Sequence, residues 1–378
     1  MKKTISGLLA VVLLLLLAVP ARAESLAVDA QACLLMEKTT GQVLYAVNEH
    51  QQLEPASVTK IMTVLLVMEA IDSGTLQYDD MVTASAYACS MGGSQIWLKE
   101  NEQMSVEEML KAVCVASAND CSVALAEHLA GSADAFVERM NQRAGELGMN
   151  DTNFLNPTGL PAQGHVTSAY DIALMSRELI YRHPDVRRFT TIWMDTLREG
   201  AFGLSNTNKL IRFYQGATGL KTGSTDSALY CLSATAERDG MELIAVVLKS
   251  PTSTQRFESA KTLLNYGFAA YALAQAQPPQ PLEPIPVELG DVPSVIPRLE
   301  GDPTILAAKE KVKAMEVTVA LEERLSAPVA EGQQVGRMVV ASAGETLAEL
   351  PLVAAAPAAR LTYWQILERC LRTAFLGG

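Results

Sequence analysis

The sequence predicts a mixed α/β chain of the α+β kind: an antiparallel sheet flanked by helices, followed by a small C-terminal β-rich domain. Two short apolar runs flank Thr39-Thr40-Gly41 near the start, and two more flank Asp239-Gly240 much later; both read as hairpins. Helical periodicity fills the space between them and returns from Phe257 to Leu273. Strand pairs at both ends with helices between them predict that the terminal strands share one antiparallel sheet, with helices on its faces. A proline-rich stretch, Ala274 to Pro286, then leads into alternating runs such as M-E-V-T-V-A-L and V-G-R-M-V-V-A.

The chain begins with Met1-Lys2-Lys3, an apolar run from Leu8 to Val19, and small residues at Ala21-Arg22-Ala23. That order is a secretory signal peptide over residues 1–23, too short in its apolar part for a comfortable membrane span. It predicts a protein secreted across the cytoplasmic membrane and working outside it. Removing its three basic residues takes the net charge from −12 to −15. An acidic chain without a basic stripe is a poor match for nucleic acid.

The six cysteines, Cys33, Cys89, Cys114, Cys121, Cys231 and Cys370, are scattered and contain no C-x-x-C. They are too sparse for a disulfide-built scaffold, though one bridge is compatible with the pattern. The four histidines show no metal-ligand spacing, so neither a metal nor another cofactor is expected.

Along the first domain, residues 24–273, the stretch from Pro55 to Gly74 reads as a largely buried helix starting near Ala56 or Ser57 and closed by Gly74. A lysine on its first turn is unusual, because desolvating an ammonium is costly. Ser57 and Lys60 stand three apart and share a face, the spacing a nucleophile and its base require. Ser105-Val-Glu-Glu108 opens a further helix with a capping box. That helix breaks at Ser117-Ala-Asn119, and others follow to Gly131, over 133–147 and over 168–181. Lys221-Thr-Gly223 lies in the strand before the second hairpin.

Each of Ser57-Val-Thr-Lys60, Ser117-Ala-Asn119 and Lys221-Thr-Gly223 is weak alone. Together they stand at a helix start, an inter-helix turn and a strand before a hairpin, the contexts in which such motifs mark penicillin-interacting serine enzymes. The sequence resembles the D-alanyl-D-alanine carboxypeptidases of the low-molecular-weight penicillin-binding protein family. G-G-S-Q-I-W-L (92–98), D-T-N-F-L-N-P-T-G-L (151–160), N-T-N-K-L (206–210) and L-L-N-Y-G-F (263–268) carry the resemblance further. Ser227-Ala228-Leu229 departs from the Ala-Gly pair common in that family and puts the local pocket shape in question.

The resemblance implies a DD-peptidase/β-lactamase-like fold, peptidoglycan stem peptides ending in D-Ala-D-Ala as substrates, and β-lactams as covalent inhibitors. By residue type, the Ser57 hydroxyl attacks the carbonyl between the terminal D-alanines, and Lys60 accepts its proton if burial and a nearby cation keep the amine neutral. Lys221 supplies that cation and attracts the substrate carboxylate. Ser117 relays a proton to the leaving amine, and Asn119 is expected to hold Lys60 and the substrate amide. Lys221, Thr222, Gly223 and Ser224 form a strand on which an extended substrate can add itself. The resemblance further implies an oxyanion hole from the Ser57 and Ser224 backbone N–H groups. Arg256 is a further carboxylate-binding candidate, with a solvated surface position as the alternative.

Two other functions remain open at this level. A β-lactamase of the same fold needs a glutamate-activated water, and Glu146-Leu-Gly-Met-Asn150 departs from the E-x-x-L-N pattern that would supply one by carrying Met149 at the leucine position. An inactive peptidoglycan-binding module would need a defect that no residue reveals. Beyond the linker at 274–286, the β-rich domain at 287–356 shows no catalytic constellation. The tail at 357–378 places Leu361, Trp364, Leu367, Leu371 and Phe375 on one helical face beside Arg360, Arg369 and Arg372. An amphipathic helix lying on a membrane surface fits that pattern, with packing on the protein's own second domain as the alternative.

Overall fold

The computed structural model describes residues 26–376, so the proposed signal peptide lies outside the described residues, as does the side chain of Phe375. Strands β1 (Ala32–Glu37) and β2 (Val43–Val47) form the first hairpin. Its turn is built by Glu37, whose carboxylate accepts the backbone N–H groups of Thr39 and Thr40 at 2.8 and 2.7 Å. The later strands β3 (Ala217–Thr225), β4 (Leu229–Arg238) and β5 (Met241–Ser250) complete one antiparallel sheet in the order β2-β1-β5-β4-β3. Within this sheet β1 and β5, first and last in chain order, are thus neighbours, and β3 forms an edge.

The apolar run of β5 has no polar face because both of its faces are covered. Ile244, Val246 and Leu248 pack with Leu34 and Met36 into the helical core. Leu243, Ala245 and Val247 face the other way, onto Phe257, Leu263 and Leu264 of α6 (Ser253–Ala270). The period-two alternation of side chains divides one strand between two cores.

The helices between the hairpins are α1 (Lys60–Asp72), α2 (Val106–Val115), α3 (Asn119–Ala130), α4 (Ala133–Glu146) and α5 (Ala169–Arg182). Each of α2, α4 and α5 starts where a serine hydroxyl, Ser105, Ser132 or Ser168, accepts a free backbone N–H of the first turn. Helix α3 ends where Gly131 takes a left-handed conformation, φ +82°.

One element runs differently from the sequence expectation. The last helix stops at Ala270, and Tyr271–Gln275 is a strand, β6, paired antiparallel with Thr304–Ala308. The apolar spacing of Tyr271, Leu273 and Phe268 suits either state, and pairing with a distant strand decides it. Ala276 is then buried and its N–H donates to Pro303 O, so the proline-rich stretch leaves from an anchored backbone. The C-terminal strands form a three-stranded and a four-stranded sheet, with Ile285, Val295 and Val335 in one small core and Met338, Val340 and Leu352 in the other.

All six cysteines are free thiols, four of them buried, so no bridge forms. The tail forms a helix, α7 (Tyr363–Leu376), whose Tyr363, Trp364, Leu367 and Leu371 are exposed. Among the described residues no helix is long and apolar enough to cross a membrane.

Candidate active site

The chain enters the site through a 3-10 turn, Ala56–Thr59, that runs directly into α1. Ser57 is half-buried on this turn, and Lys60 opens the helix with no exposure at all. Lys60 Nζ lies 3.0 Å from Ser57 Oγ and 2.7 Å from Thr158 O. Burial first, and the Lys221 cation second, hold the Lys60 amine well below the ordinary lysine range, with Asp120 opposing them. A neutral amine can keep one N–H on Thr158 O while its lone pair faces the Ser57 hydroxyl.

The turn is held from behind by the 151–165 segment. Asn156 Oδ1 accepts the N–H groups of Thr158 and Gly159 at 3.1 and 2.7 Å, which folds Pro157-Thr158-Gly159 into a compact strap. Thr63 Oγ1 donates to Pro157 O at 2.7 Å. His165 accepts the Leu155 N–H at Nδ1, 3.0 Å, so its proton sits on Nε2 and goes to Thr59 Oγ1, 2.8 Å away. Burial lowers the His165 pKa to about 4, which keeps the ring neutral and that tautomer in place.

Ser117 and Asn119 stand between α2 and α3. Ser117 sits at φ +64°, a left-handed position that a serine occupies only under strain. Lys221 Nζ reaches Ser117 Oγ at 2.8 Å and Thr222 O at 2.9 Å. Gly223 brings strand and turn together: a Cβ there would stand 2.7 Å from Pro55 O and 2.9 Å from Ser57 N. Any larger residue would push β3 away from the nucleophile. Thr222 is buried and Ser224 is exposed on the same strand.

The structure therefore brings Ser57, Lys60, Ser117, Asn119, Lys221, Thr222, Gly223 and Ser224 together from separate parts of the chain. Two expectations change. Asn119 does not hold Lys60: its Nδ2 donates to Gly92 O at 2.6 Å, and Thr158 O takes the lysine proton instead. Its Oδ1 is buried without a partner, an acceptor aimed at nothing in the protein. Arg256 is not a solvated surface residue. It is 6% exposed, lies 4.6 Å from the Phe257 ring centre, and donates to Gly223 O and Cys231 O at 3.1 and 3.2 Å. Burial brings its pKa down to about 10. At the departure from the family pattern, Ser227 Oγ donates to Glu54 and Thr225 Oγ1 accepts the Ala228 N–H, which ties the turn to the approach to Ser57.

Sequence reasoning missed Asp120, although a carboxylate next to Asn119 in an otherwise apolar helix was a usable signal. It is fully buried and accepts the N–H groups of Ile96 and Leu98, both at 3.1 Å at their nearer oxygen, which fixes the 92–98 segment against Asn119. Among the described residues no cluster of three His, Cys, Asp or Glu side chains is placed to hold a metal ion.

Burial also lowers the Lys221 pKa, from an ordinary 10.5 to about 7, with Arg256 adding to the shift. Between these values the unfolded chain binds a proton that the folded chain does not. Stability should therefore rise with pH from about 7 toward 10.5, with the full cost of burying the charge present below 7. Thermal unfolding across this range should show a steeper rise for the parent than for Lys221→Met. Equal slopes would remove Lys221 as the source.

A serine hydroxyl beside a buried amine, faced by a second buried lysine and an open strand edge, defines a serine acyl-transfer site. The D-alanyl-D-alanine carboxypeptidase family model of the S11 peptidases matches residues 19–252, and that of the penicillin-binding protein 5 C-terminal domain matches 278–358. The chain is 41% identical to D-alanyl-D-alanine carboxypeptidase DacF of Bacillus subtilis, over 94% of each chain. Its structure matches penicillin-binding protein 5 from Haemophilus influenzae with a TM-score of 0.80 and 32% identity, covering 88% of this chain and 98% of that one. It also matches penicillin-binding protein D2 from Listeria monocytogenes in its ampicillin-bound form, at TM-score 0.60 and 35% identity over 65% of this chain and 99% of that one. The chain belongs to the D-alanyl-D-alanine carboxypeptidase family of low-molecular-weight penicillin-binding proteins.

Proposed function

We propose that the protein removes the terminal D-alanine from peptidoglycan stem peptides through an acyl-enzyme on Ser57. The observation that carries this reading is the fully buried Lys60 amine, 3.0 Å from Ser57 Oγ. As Ser57 Oγ bonds to the penultimate D-alanine carbonyl carbon, its proton passes to Lys60. The tetrahedral oxyanion is stabilised by the backbone N–H groups of Ser57 and Ser224. The C–N bond then breaks, and the leaving nitrogen receives a proton through Ser117, which Lys221 holds. That proton is the one Lys60 took up, so the amine is neutral again. D-Alanine departs, water attacks the ester carbonyl as Lys60 accepts its proton, and Lys60 returns that proton to Ser57 Oγ as the ester C–O bond breaks. The orphaned Asn119 Oδ1 accepts an amide N–H of the substrate, relieving a buried acceptor worth about 1–3 kcal/mol. The substrate backbone lies along the β3 edge at Lys221 to Ser224.

The test is incubation of the mature chain with a peptide ending in D-Ala-D-Ala, beside Ser57→Ala. Released D-alanine from the parent alone supports the reading; equal release from both, or none from the parent, removes it.

The protein is further proposed to act outside the cytoplasmic membrane after loss of residues 1–23, with 24–273 as the catalytic unit and 287–356 as a separate β-rich domain. The exposed Trp364, Leu367 and Leu371 on α7 support contact of 357–378 with the outer face of the cytoplasmic membrane. Deleting residues 358–378 should move the protein from the membrane to the soluble fraction with activity intact. Unchanged fractionation would count against the anchor.

A further inference from the structure

The turn between β3 and β4 is closed under strain. Thr225 pairs with Leu229 across it, and Leu229 sits at φ +51°, a left-handed position costly for a leucine. Inside the turn Thr225 Oγ1 accepts the Ala228 N–H at 3.0 Å. The exposed Ser227 hydroxyl donates to the Glu54 carboxylate, from a position 173 residues further along the chain. Glu54 is half-buried and leads through Pro55 into the turn that carries Ser57. Buried Cys231 on β4 adds a weaker tie, its Sγ standing 3.7 Å from Glu54 O and 3.5 Å from Ala228 O.

Among the described residues, the hydrogen bonds that run directly between 54–59 and 221–231 all end on Glu54. The two segments also touch at Gly223, where a Cβ would stand 2.7 Å from Pro55 O. Contact of that kind limits how close they come and does not stop them parting. The bond from Ser227 does, and its charged acceptor makes it the stronger of the two ties. Each segment carries one of the two oxyanion donors. Ser57 stands three residues after Glu54, and Ser224 three residues before Ser227. Donors on separate segments stabilise one oxygen only while their spacing is kept.

We propose that the Ser227–Glu54 pair is a latch that sets the spacing of the Ser57 and Ser224 backbone N–H groups. Ser227 and Glu54 are then positioning residues for acylation of Ser57. The latch rests on the acyl-enzyme reading of that serine. Ser227 lies in the stretch that departs from the family pattern, so the latch stands outside the shared motifs. Water can take the place of either exposed partner, so folding should change little when the bond is removed.

The test combines steady-state kinetics on a peptide ending in D-Ala-D-Ala with the rate of penicillin acylation, followed by intact mass. Ser227→Ala and Glu54→Ala should each lower kcat and kcat/KM by about 10-fold, equally, as expected for an arrangement needed only in the transition state. Penicillin acylation should slow by about the same factor. The double variant should be no slower than either single one, because the same bond is lost in all three. Glu54→Gln restores a neutral acceptor and should recover most of the rate. Losses that multiply in the double variant, or a change in Tm with no change in rate, would overturn the latch. So would a Glu54→Gln enzyme as slow as Glu54→Ala, which would give the carboxylate a proton-transfer role instead. A parent that is acylated no faster than Ser227→Ala overturns the latch alone. A parent that forms no adduct and releases no D-alanine would bring down the acyl-enzyme reading as well.

Discussion

Replacing Lys60 by arginine should lower the rate of Ser57 acylation by about 10³-fold, the scale of a lost general base. The site forces this result. Lys60 has no exposure, and burial together with Lys221 holds its amine well below the ordinary lysine range. A guanidinium does not surrender its proton in a protein, so it cannot receive the one that leaves Ser57 Oγ. The larger fixed charge also crowds Lys221, and some stability should be lost with the activity. Lys60→Met separates the two effects, since it fills the space without an ionisable group. It should abolish acylation equally while keeping a cooperative unfolding transition. Acylation within about tenfold of the parent in either folded variant, about 1.4 kcal/mol in barrier, would remove Lys60 from the role of base.

Gly159→Ala should be the most damaging single-methyl change in the catalytic domain. Gly159 sits at φ +79°, and a Cβ there would stand 1.8 Å from Ala56 O and 2.8 Å from Thr59 Oγ1. Backbone strain costs about 1–3 kcal/mol and forced overpacking about as much again. The sum is roughly 3 kcal/mol or more, which lowers Tm by about 10 °C in a domain of this size. Because the clash falls on the residue before Ser57, relaxation must move the nucleophile away from Lys60, and acylation should slow as well. Gly74→Ala is the matched comparison, since Gly74 has φ +75° but open space around it. It should lose only the strain contribution, with acylation unaffected. A Gly159→Ala protein no less stable than Gly74→Ala would show that the strap does not set the position of Ser57.

The residues of the chemistry were readable because each is announced locally. Ser57 and Lys60 share a helical face, Ser117 and Asn119 interrupt apolar periodicity, and Lys221-Thr-Gly223 precedes a hairpin. What supports them was not readable, because it acts over long separations. Thr158 lies 98 residues from the lysine whose proton it accepts, and His165 lies 106 from Thr59. No periodicity reports a backbone carbonyl that will meet a side chain so far away. The same limit explains Asn119, whose amide goes to Gly92, 27 residues earlier. It also explains Arg256, which reads in the sequence as a carboxylate binder or a surface residue and is buried in the fold, donating to the carbonyls of Gly223 and Cys231. At Tyr271 the apolar spacing was compatible with helix or strand, and the pairing with Thr304–Ala308 settled it.

The central claim is that Ser57 forms an acyl-enzyme whose hydrolysis needs the leaving group to depart. With the peptide, D-alanine diffuses away and leaves room for water. With penicillin, ring opening leaves the displaced nitrogen tethered to the acyl group, where it blocks that approach. A dedicated glutamate on the other side would be needed to overcome this, and Glu146 is half-exposed on α4, joined to Gln142 and Arg143 and away from the cleft. The most direct measurement is therefore intact mass of the mature protein after mixing with penicillin. The expected result is a one-to-one covalent adduct on Ser57 that persists for minutes or longer and is absent in Ser57→Ala. Rapid catalytic turnover of penicillin with no accumulating adduct would contradict the account and point to a β-lactamase instead.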